Sequence, residues 1–437
     1  MEKADILIYG CTILPMKDKE IIKDGAIAIK NNEIVFVGKY ASASGIRAEK
    51  RINAKGKVAV PGLINCHTHV PMTLMRGIAE DKPLNVWLKD TVWPLEAKLT
   101  AEDIYASALL GCLEMIKSGT TCFADMYFHE EAVARAVKES GLRAVLAEGI
   151  IEAGNKALGE KMLKNSLKFA EKFRGYAEGR VTAMLGPHAA YSCSQELLVK
   201  VRDEASQLGV GVHIHLAESA EMFKEFEKKH GCSEVEFLNK LGFFKAHVLA
   251  AHCINLSEND RRILAEHHVN AVYVPVANMK LGLGAARIKG LASLNVNVAL
   301  GTDGPASNNT LDMFETMKVG ALLQKLVYLN PEALSPYEVL RMATLNGAKA
   351  LKLEKSVGSL EVGKKADVIL IDFSKPHLKP LHDIYASIVY SARGSDVDTV
   401  IVDGKILMEN RQVKTLDEQA VMEKAEKHAA RLLSRKP

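Results

Sequence analysis

No stretch of this chain approaches the roughly 20 consecutive apolar residues that a membrane-spanning helix requires. Cysteine is scarce and unpaired in pattern. The seven present (Cys11, Cys66, Cys112, Cys122, Cys193, Cys232 and Cys253) are scattered without a C-x-x-C spacing. That excludes a disulfide framework and points to a reducing compartment. Aromatics amount to only 6%, and no block of basic charge stands out from a net +4 built of 57 basic and 53 acidic side chains. A nucleic-acid binder would need one or the other. Low-complexity linkers are missing too. What remains, 48% hydrophobic and 25% charged residues over 437 positions, is the composition of a folded globular chain. Its first residues, Met-Glu-Lys-Ala-Asp, carry both signs of charge and lead into a strand-like run instead of a signal-peptide core, so a cytoplasmic protein is expected.

The length allows two or three small domains, or one large barrel with an attached module. Residues 1–57 alternate short β-rich runs with turns, and the same texture returns over 358–416. Neither end is large enough to bury a core alone, so together they are expected to form one small β-sandwich domain. Between them, over 58–357, short apolar runs alternate with amphipathic helical stretches. Eight runs read as strands: Val58–Cys66, Thr120–Met126, Arg143–Ile150, Val181–Pro187, Val210–Leu216, His247–Cys253, Asn270–Pro275 and Val296–Gly301. Helical periodicity falls between them, as in Ala101–Lys117, Glu130–Glu139 and Gln195–Leu208. Repeated strand–helix units imply parallel pairing, and eight of them predict a closed (β/α)8 TIM barrel. A doubly wound open sheet is the competing fold, but Pro61-Gly62-Leu63-Ile64-Asn65 is not a dinucleotide-binding glycine signature. Residues 417–437 read as a charged C-terminal surface helix.

In such barrels, catalysis gathers where the strands end. Five of the fourteen histidines fall there: His67, His69, His188, His215 and His252. His67 and His69 lie two apart on an extended strand, so their rings share a face, an arrangement suited to a borderline divalent metal. His215 and Asp303 can complete the set from across the barrel. His213 shares the face of His215, and alternation cannot choose between them. His215 lies nearer the strand end and three residues before Glu218, which assigns the ligand to His215 and leaves His213 to the core. Glu218 is then a carboxylate beside the metal, placed to move protons.

These motifs resemble the amidohydrolase superfamily. Val60-Pro61-Gly62-Leu63-Ile64-Asn65-Cys66-His67-Thr68-His69 is similar to its first-strand signature. Met72-Thr73-Leu74-Met75-Arg76-Gly77, His213-Ile214-His215-Leu216-Ala217-Glu218 and Gly301-Thr302-Asp303-Gly304-Pro305-Ala306-Ser307-Asn308-Asn309 resemble, within it, the 5′-methylthioadenosine/S-adenosylhomocysteine deaminases and their 5′-deoxyadenosine deaminase relatives. The resemblance implies one divalent ion on His67, His69, His215 and Asp303, with Zn²⁺ ahead of Fe²⁺, Mn²⁺ or Ni²⁺. Members with two metals place a lysine on strand four, and none stands in Val181–Pro187.

The implied reaction is hydrolytic deamination of 5′-deoxyadenosine, 5′-methylthioadenosine, S-adenosylhomocysteine or adenosine to the inosine analogue and ammonia, a salvage of by-products of S-adenosylmethionine chemistry. Glu218 would protonate the purine ring, Asp303 would act as ligand and base, and His252 would hold the attacking oxygen. Glu96 matches the carboxylate that binds the ribose hydroxyls, Trp87 an aromatic lid residue, and His188 a purine or ribose contact. Relatives hold the homocysteine carboxylate with two arginines. Glu148 stands at the first of these positions and Glu160 and Lys161 near the second, which predicts a tilt toward uncharged 5′ groups. A related enzyme acting on guanine, cytosine or a triazine is the alternative, and a noncatalytic metal-binding barrel is the non-enzyme one. Relatives form dimers or tetramers, so a homo-oligomer without nucleic-acid or membrane partners is expected.

Overall fold

The computed structural model describes residues 3–78 and 80–435. Of the expected domains, Met1, Glu2, Ala79, Lys436 and Pro437 lie outside the described residues. Eight parallel strands succeed one another in chain order: β1 (Leu63–Thr68), β2 (Thr120–Tyr127), β3 (Arg143–Ile150), β4 (Val181–Pro187), β5 (Gly211–Leu216), β6 (Val248–His252), β7 (Asn270–Tyr273) and β8 (Asn297–Leu300). Their helices pack outside, as an apolar face alternating with a charged one requires. Ala101–Lys117 starts at a capping box, in which the Thr100 side chain and Asp103 serve each other's backbone N–H, a motif worth about 1 kcal/mol.

Among the described residues no ladder joins β1 to β8, and other bonds close that seam. Asp303 N–H donates to His67 O at 2.9 Å, and Thr302 N–H to Asn65 Oδ1 at 3.0 Å. Lower down, Ile64 N–H reaches Ala343 O at 2.8 Å and Asn346 Nδ2 reaches Val298 O at 3.1 Å. Gly301 permits this approach, because a Cβ there would stand 2.8 Å from His67 Cβ. The seam therefore sets Asp303 directly against the first histidine.

The run expected as a single strand over Val58–Cys66 is two strands. Lys57–Pro61 pairs antiparallel with Val368–Asp372 and parallel with Thr12–Ile13, so it belongs to the small domain. The chain turns into β1 at Gly62, where a side chain is impossible: a Cβ would lie 2.0 Å from Thr121 Oγ1. The crossing into the barrel thus comes later than the expected 57/58. The small domain itself is one nine-stranded mixed sheet from both chain ends, folded over on itself. Its strand Glu33–Lys39 comes back to the backbone of 363–366, with Ile34 N–H donating to Lys364 O at 2.8 Å. Ile8, Ile27, Ile29, Val368 and Ile401 fill the enclosed core.

Arg143, buried at the start of β3, ties the two units together. Its Nε and Nη2 reach Asp367 at 3.0 and 3.1 Å, and Nη2 reaches Asp403 at 3.4 Å. The C-terminal helix, Glu418–Ser434, is docked on one face instead of lying free on the surface. Val421, Ala425 and Leu432 are buried, and the fully buried Asp103 receives His428 Nδ1 at 2.7 Å together with Arg435. All seven cysteines are free and buried. Among the described residues no helix is long and apolar enough to cross a membrane.

Candidate active site

His67, His69, His188, His215, His252 and Asp303 meet at the C-terminal rim of the barrel. His69 and His215 each donate Nδ1–H to a backbone carbonyl, Met126 O at 2.6 Å and His188 O at 2.8 Å. A carbonyl only accepts, so both rings carry their proton on Nδ1 and turn a bare Nε2 inward. Those two Nε2 atoms are 3.2 Å apart. Asp303 Oδ1 lies 3.3 Å from His69 Nε2 and 3.5 Å from His67 Nε2, and the latter is buried with no partner. Lone pairs facing lone pairs without a donor between them repel. A divalent cation among them removes the conflict, and three imidazoles with one carboxylate are a donor set for such an ion.

Burial holds the rings in their ligand form. It lowers His67 to about 3 and His188 to about 4, and drives His213 and His215 well below the usual imidazole range. His213 lies behind His67. Its Nε2 sits 2.8 Å from His67 Nδ1, where it orients that ring from behind. Burial would also raise Asp303, but the imidazoles of His67 and His69 set against its oxygen prevail and hold it below the ordinary carboxylate range. Glu218, 3.6 Å from His252 Nε2, moves the opposite way, raised chiefly by burial.

At the rim Ala217 (φ +50°), His252 (φ +73°), Cys253 (φ +51°) and Asp303 (φ +67°) keep a left-handed backbone without being glycine. Each such residue costs on the order of 1–3 kcal/mol, and such strain concentrates where side chains must be aimed.

His69, His215 and Asp303 of the cluster line a cleft that is also lined by segment 84–96, with Leu84, Trp87, Leu88, Trp93 and Glu96. Trp87 is buried, and its indole N–H has no protein partner. The Glu96 carboxylate faces the Tyr127 hydroxyl, and burial raises its pKa to about 7. His188 also lines the cleft, its Nδ1 2.9 Å from Ser192 Oγ. Of the residues picked out from the sequence, His69, His215, Asp303, Glu218, His252, His188, Trp87 and Glu96 line this cleft, while His67 lies fully buried against Asp303.

The residues expected at the arginine positions do not reach it. Glu148 points away from the cleft and accepts the first N–H groups of helix Glu130–Ser140, from His129 at 3.1 Å and Glu130 at 2.8 Å. The positive end of that helix accounts for the choice. Glu160 pairs with Lys200 on the outer surface, and Lys161 is exposed. In their place Phe128, Gly149 and Ile151 line the cleft. Sequence reasoning also missed Tyr127 and Asn278. Tyr127 ends β2 on the catalytic rim and was detectable by position. Asn278, whose Oδ1 lies 2.9 Å from His252 Nδ1, follows β7 in a segment with no motif to mark it.

The amidohydrolase family profile matches residues 58–407. A 5-methylthioadenosine/S-adenosylhomocysteine deaminase of Pelotomaculum thermopropionicum is 49% identical over 99% of this chain and 100% of its own. A 5′-deoxyadenosine deaminase of Methanosarcina mazei is 49% identical over 99% of both chains. The crystal structure of an adenosine deaminase from Xanthomonas campestris with bound zinc superimposes with a TM-score of 0.95 at 32% identity, over 99% of this chain and 100% of that one. With its parallel barrel, its rim of histidines and these relatives, the chain belongs to the amidohydrolase family.

Proposed function

We propose that this protein is a zinc-dependent deaminase of 5′-modified adenosines, hydrolysing the C6–amino bond to leave the inosine analogue and ammonia. The observation that carries the reading is one cleft lined by His69, His215 and Asp303 of the acceptor cluster, with His67 buried against Asp303, together with Glu218 and Glu96. In this reading Glu218 serves the reacting base and Glu96 the sugar. His67, His69, His215 and Asp303 would hold the ion, which supplies Lewis acidity and brings the pKa of a coordinated water toward neutrality.

The chain's own groups then divide the proton traffic. Glu218, whose protonated form burial favours, gives a proton to ring N1 as water adds at C6, so negative charge does not build up in the purine. Asp303, kept ionised, takes a proton from the attacking water and passes it to the departing amine. Water and aminopurine become hydroxypurine and ammonia, and Glu218 recovers its proton when the tetrahedral carbon collapses. His252 Nε2 holds the attacking oxygen. Glu96 accepts the 2′- and 3′-hydroxyls, while Trp87 and His188 flank the nucleoside.

The lining contains no lysine or arginine among the described residues. With Gly149 and Ile151 where a carboxylate-binding cation would serve, the 5′ end favours 5′-deoxyadenosine and 5′-methylthioadenosine over S-adenosylhomocysteine. The seven free thiols support a cytoplasmic setting, and the reading extends to a homo-oligomer, which light scattering would measure. The test is a panel of these nucleosides with guanine, cytosine and a chlorotriazine, followed by ammonia release and the absorbance change of adenine to hypoxanthine. Turnover of the nucleosides is expected. Turnover of guanine, cytosine or the triazine alone would overturn the reading, and a win for S-adenosylhomocysteine at equal concentration would overturn the 5′ preference.

A further inference from the structure

Beyond β7 the chain turns into the short helix Pro275–Lys280. Within it Asn278 is fully buried. Its backbone is held at both ends, N–H to Val274 O at 3.2 Å and O accepting from Leu283 N–H at 2.9 Å. The helix is moored further by Lys280, whose Nζ reaches Glu80 Oε2 at 2.7 Å and Ala306 O at 3.4 Å. Asn278 therefore presents its carboxamide from a fixed platform. Its Oδ1 lies 2.9 Å from His252 Nδ1, while its Nδ2 has no partner.

We propose that Asn278 is a positioning residue: its side-chain carbonyl accepts Nδ1–H of His252 and so fixes the tautomer whose bare Nε2 faces Glu218 and the cluster. His69 and His215 are oriented in the same way, but by backbone carbonyls that no substitution removes. His252, like His67 against His213 and His188 against Ser192, takes its Nδ1 partner from a side chain, so a mutation can release its orientation. A ring free to carry its proton on Nε2 would present a donor toward the cluster in place of a lone pair. The inference builds on the proposed deamination, yet the tautomer exists in the protein whether or not that reaction is the right one.

The decisive measurement is a long-range ¹H–¹⁵N correlation on histidine-labelled protein, assigned through Asn278→Leu and His252→Gln. In the wild type, His252 Nδ1 is expected to read as an N–H nitrogen and Nε2 as a bare one. Asn278→Asp, which keeps an acceptor, should preserve that pattern, whereas Asn278→Leu should give a mixture of tautomers. In turnover, Asn278→Leu should lose about 10–100-fold in kcat with KM and metal content nearly unchanged, and Asn278→Asp should recover most of the loss. A wild-type ring protonated on Nε2 would overturn the proposal, as would an aspartate variant as impaired as the leucine one. Should the leucine variant not fold, the wild-type spectrum decides alone. Normal tautomers in a protein inactive on every nucleoside would instead remove the deaminase reading and leave this one standing.

Discussion

Glu96 offers the sharpest quantitative check on how the cleft holds a nucleoside. Burial against the segment 84–96 and the Tyr127 ring brings its pKa to about 7 before substrate arrives. Only the carboxylate accepts from both ribose hydroxyls, and hydrogen bonds to a charged group are worth about 1.5–3 kcal/mol each. Above the pKa the site is ready; below it, each pH unit halts binding in about nine molecules of ten. The specificity constant for a ribonucleoside should therefore fall about tenfold between pH 8 and pH 6 on account of this group alone. Other groups titrate as well, so the assay compares 5′-deoxyadenosine with an analogue lacking the 2′- and 3′-hydroxyls. The ratio of the two constants cancels the shared ionisations and leaves that of Glu96. In Glu96→Gln the ratio should be low and flat with pH. A ratio that stays constant in the wild type, or keeps its slope in Glu96→Gln, refutes a ribose contact by this carboxylate.

Other expectations follow from the same coordinates. Glu218→Gln should retain one equivalent of metal by elemental analysis while kcat drops about 10²–10⁴-fold, the usual scale for a lost general acid. Dialysis against a chelator should abolish turnover and lower the melting temperature, and zinc should restore both, because an ion bound to the folded state alone stabilises it by mass action. Arg143→Met should cost about 3–5 kcal/mol in urea unfolding, since it strands the buried carboxylates of Asp367 and Asp403 at the domain junction. Glu130 is fully buried against Asp125, and burial raises its pKa well above 4.5. The folded state then keeps a proton that the unfolded state releases, so wild-type stability declines as pH rises through that folded value. Glu130→Gln should flatten this decline in urea melts across the range, and an unchanged slope would show that Glu130 ionises normally.

The barrel and the metal-type cluster were legible because both rest on short-range rules. Alternation puts His67 and His69 on one face, and the rim rule collects His188, His215, His252 and Asp303 without any knowledge of packing. What was illegible depends on partners distant in sequence. Val58–Cys66 is apolar throughout, and only the contact of Gly62 with Thr121 divides it between two sheets. Glu148 occupies a rim position by count, yet the backbone N–H groups of His129 and Glu130 draw it outward. The apolar lining from segment 84–96 carries no periodicity, so its side of the cleft emerged only from the fold. The expected preference for uncharged 5′ groups keeps its direction on a different basis: not a carboxylate repelling a carboxylate, but a wall of Phe128, Gly149 and Ile151 that has no cation to offer.

One cause, exclusion of water from the rim, acts oppositely on the two kinds of titratable group, and this divides the labour of the site. It favours the neutral form of the His67, His188, His213 and His215 imidazoles and equally the neutral form of a carboxyl. Glu218 follows that rule and rises. Asp303 breaks it, because His67 and His69 stand against its oxygen and favour the ionised form. Two carboxyl groups in one cleft are thereby pushed apart, one toward acid and the other toward base, at a single pH. Deamination needs both at once, a proton delivered to the ring while another leaves the attacking water. Removing the His67–Asp303 contact would collapse the difference even with Glu218 untouched, so His67→Ala should impair proton transfer beyond its effect on metal retention. Saturating zinc would then restore occupancy but not the wild-type pH–rate profile, and full recovery of that profile would show that His67 acts through the metal alone.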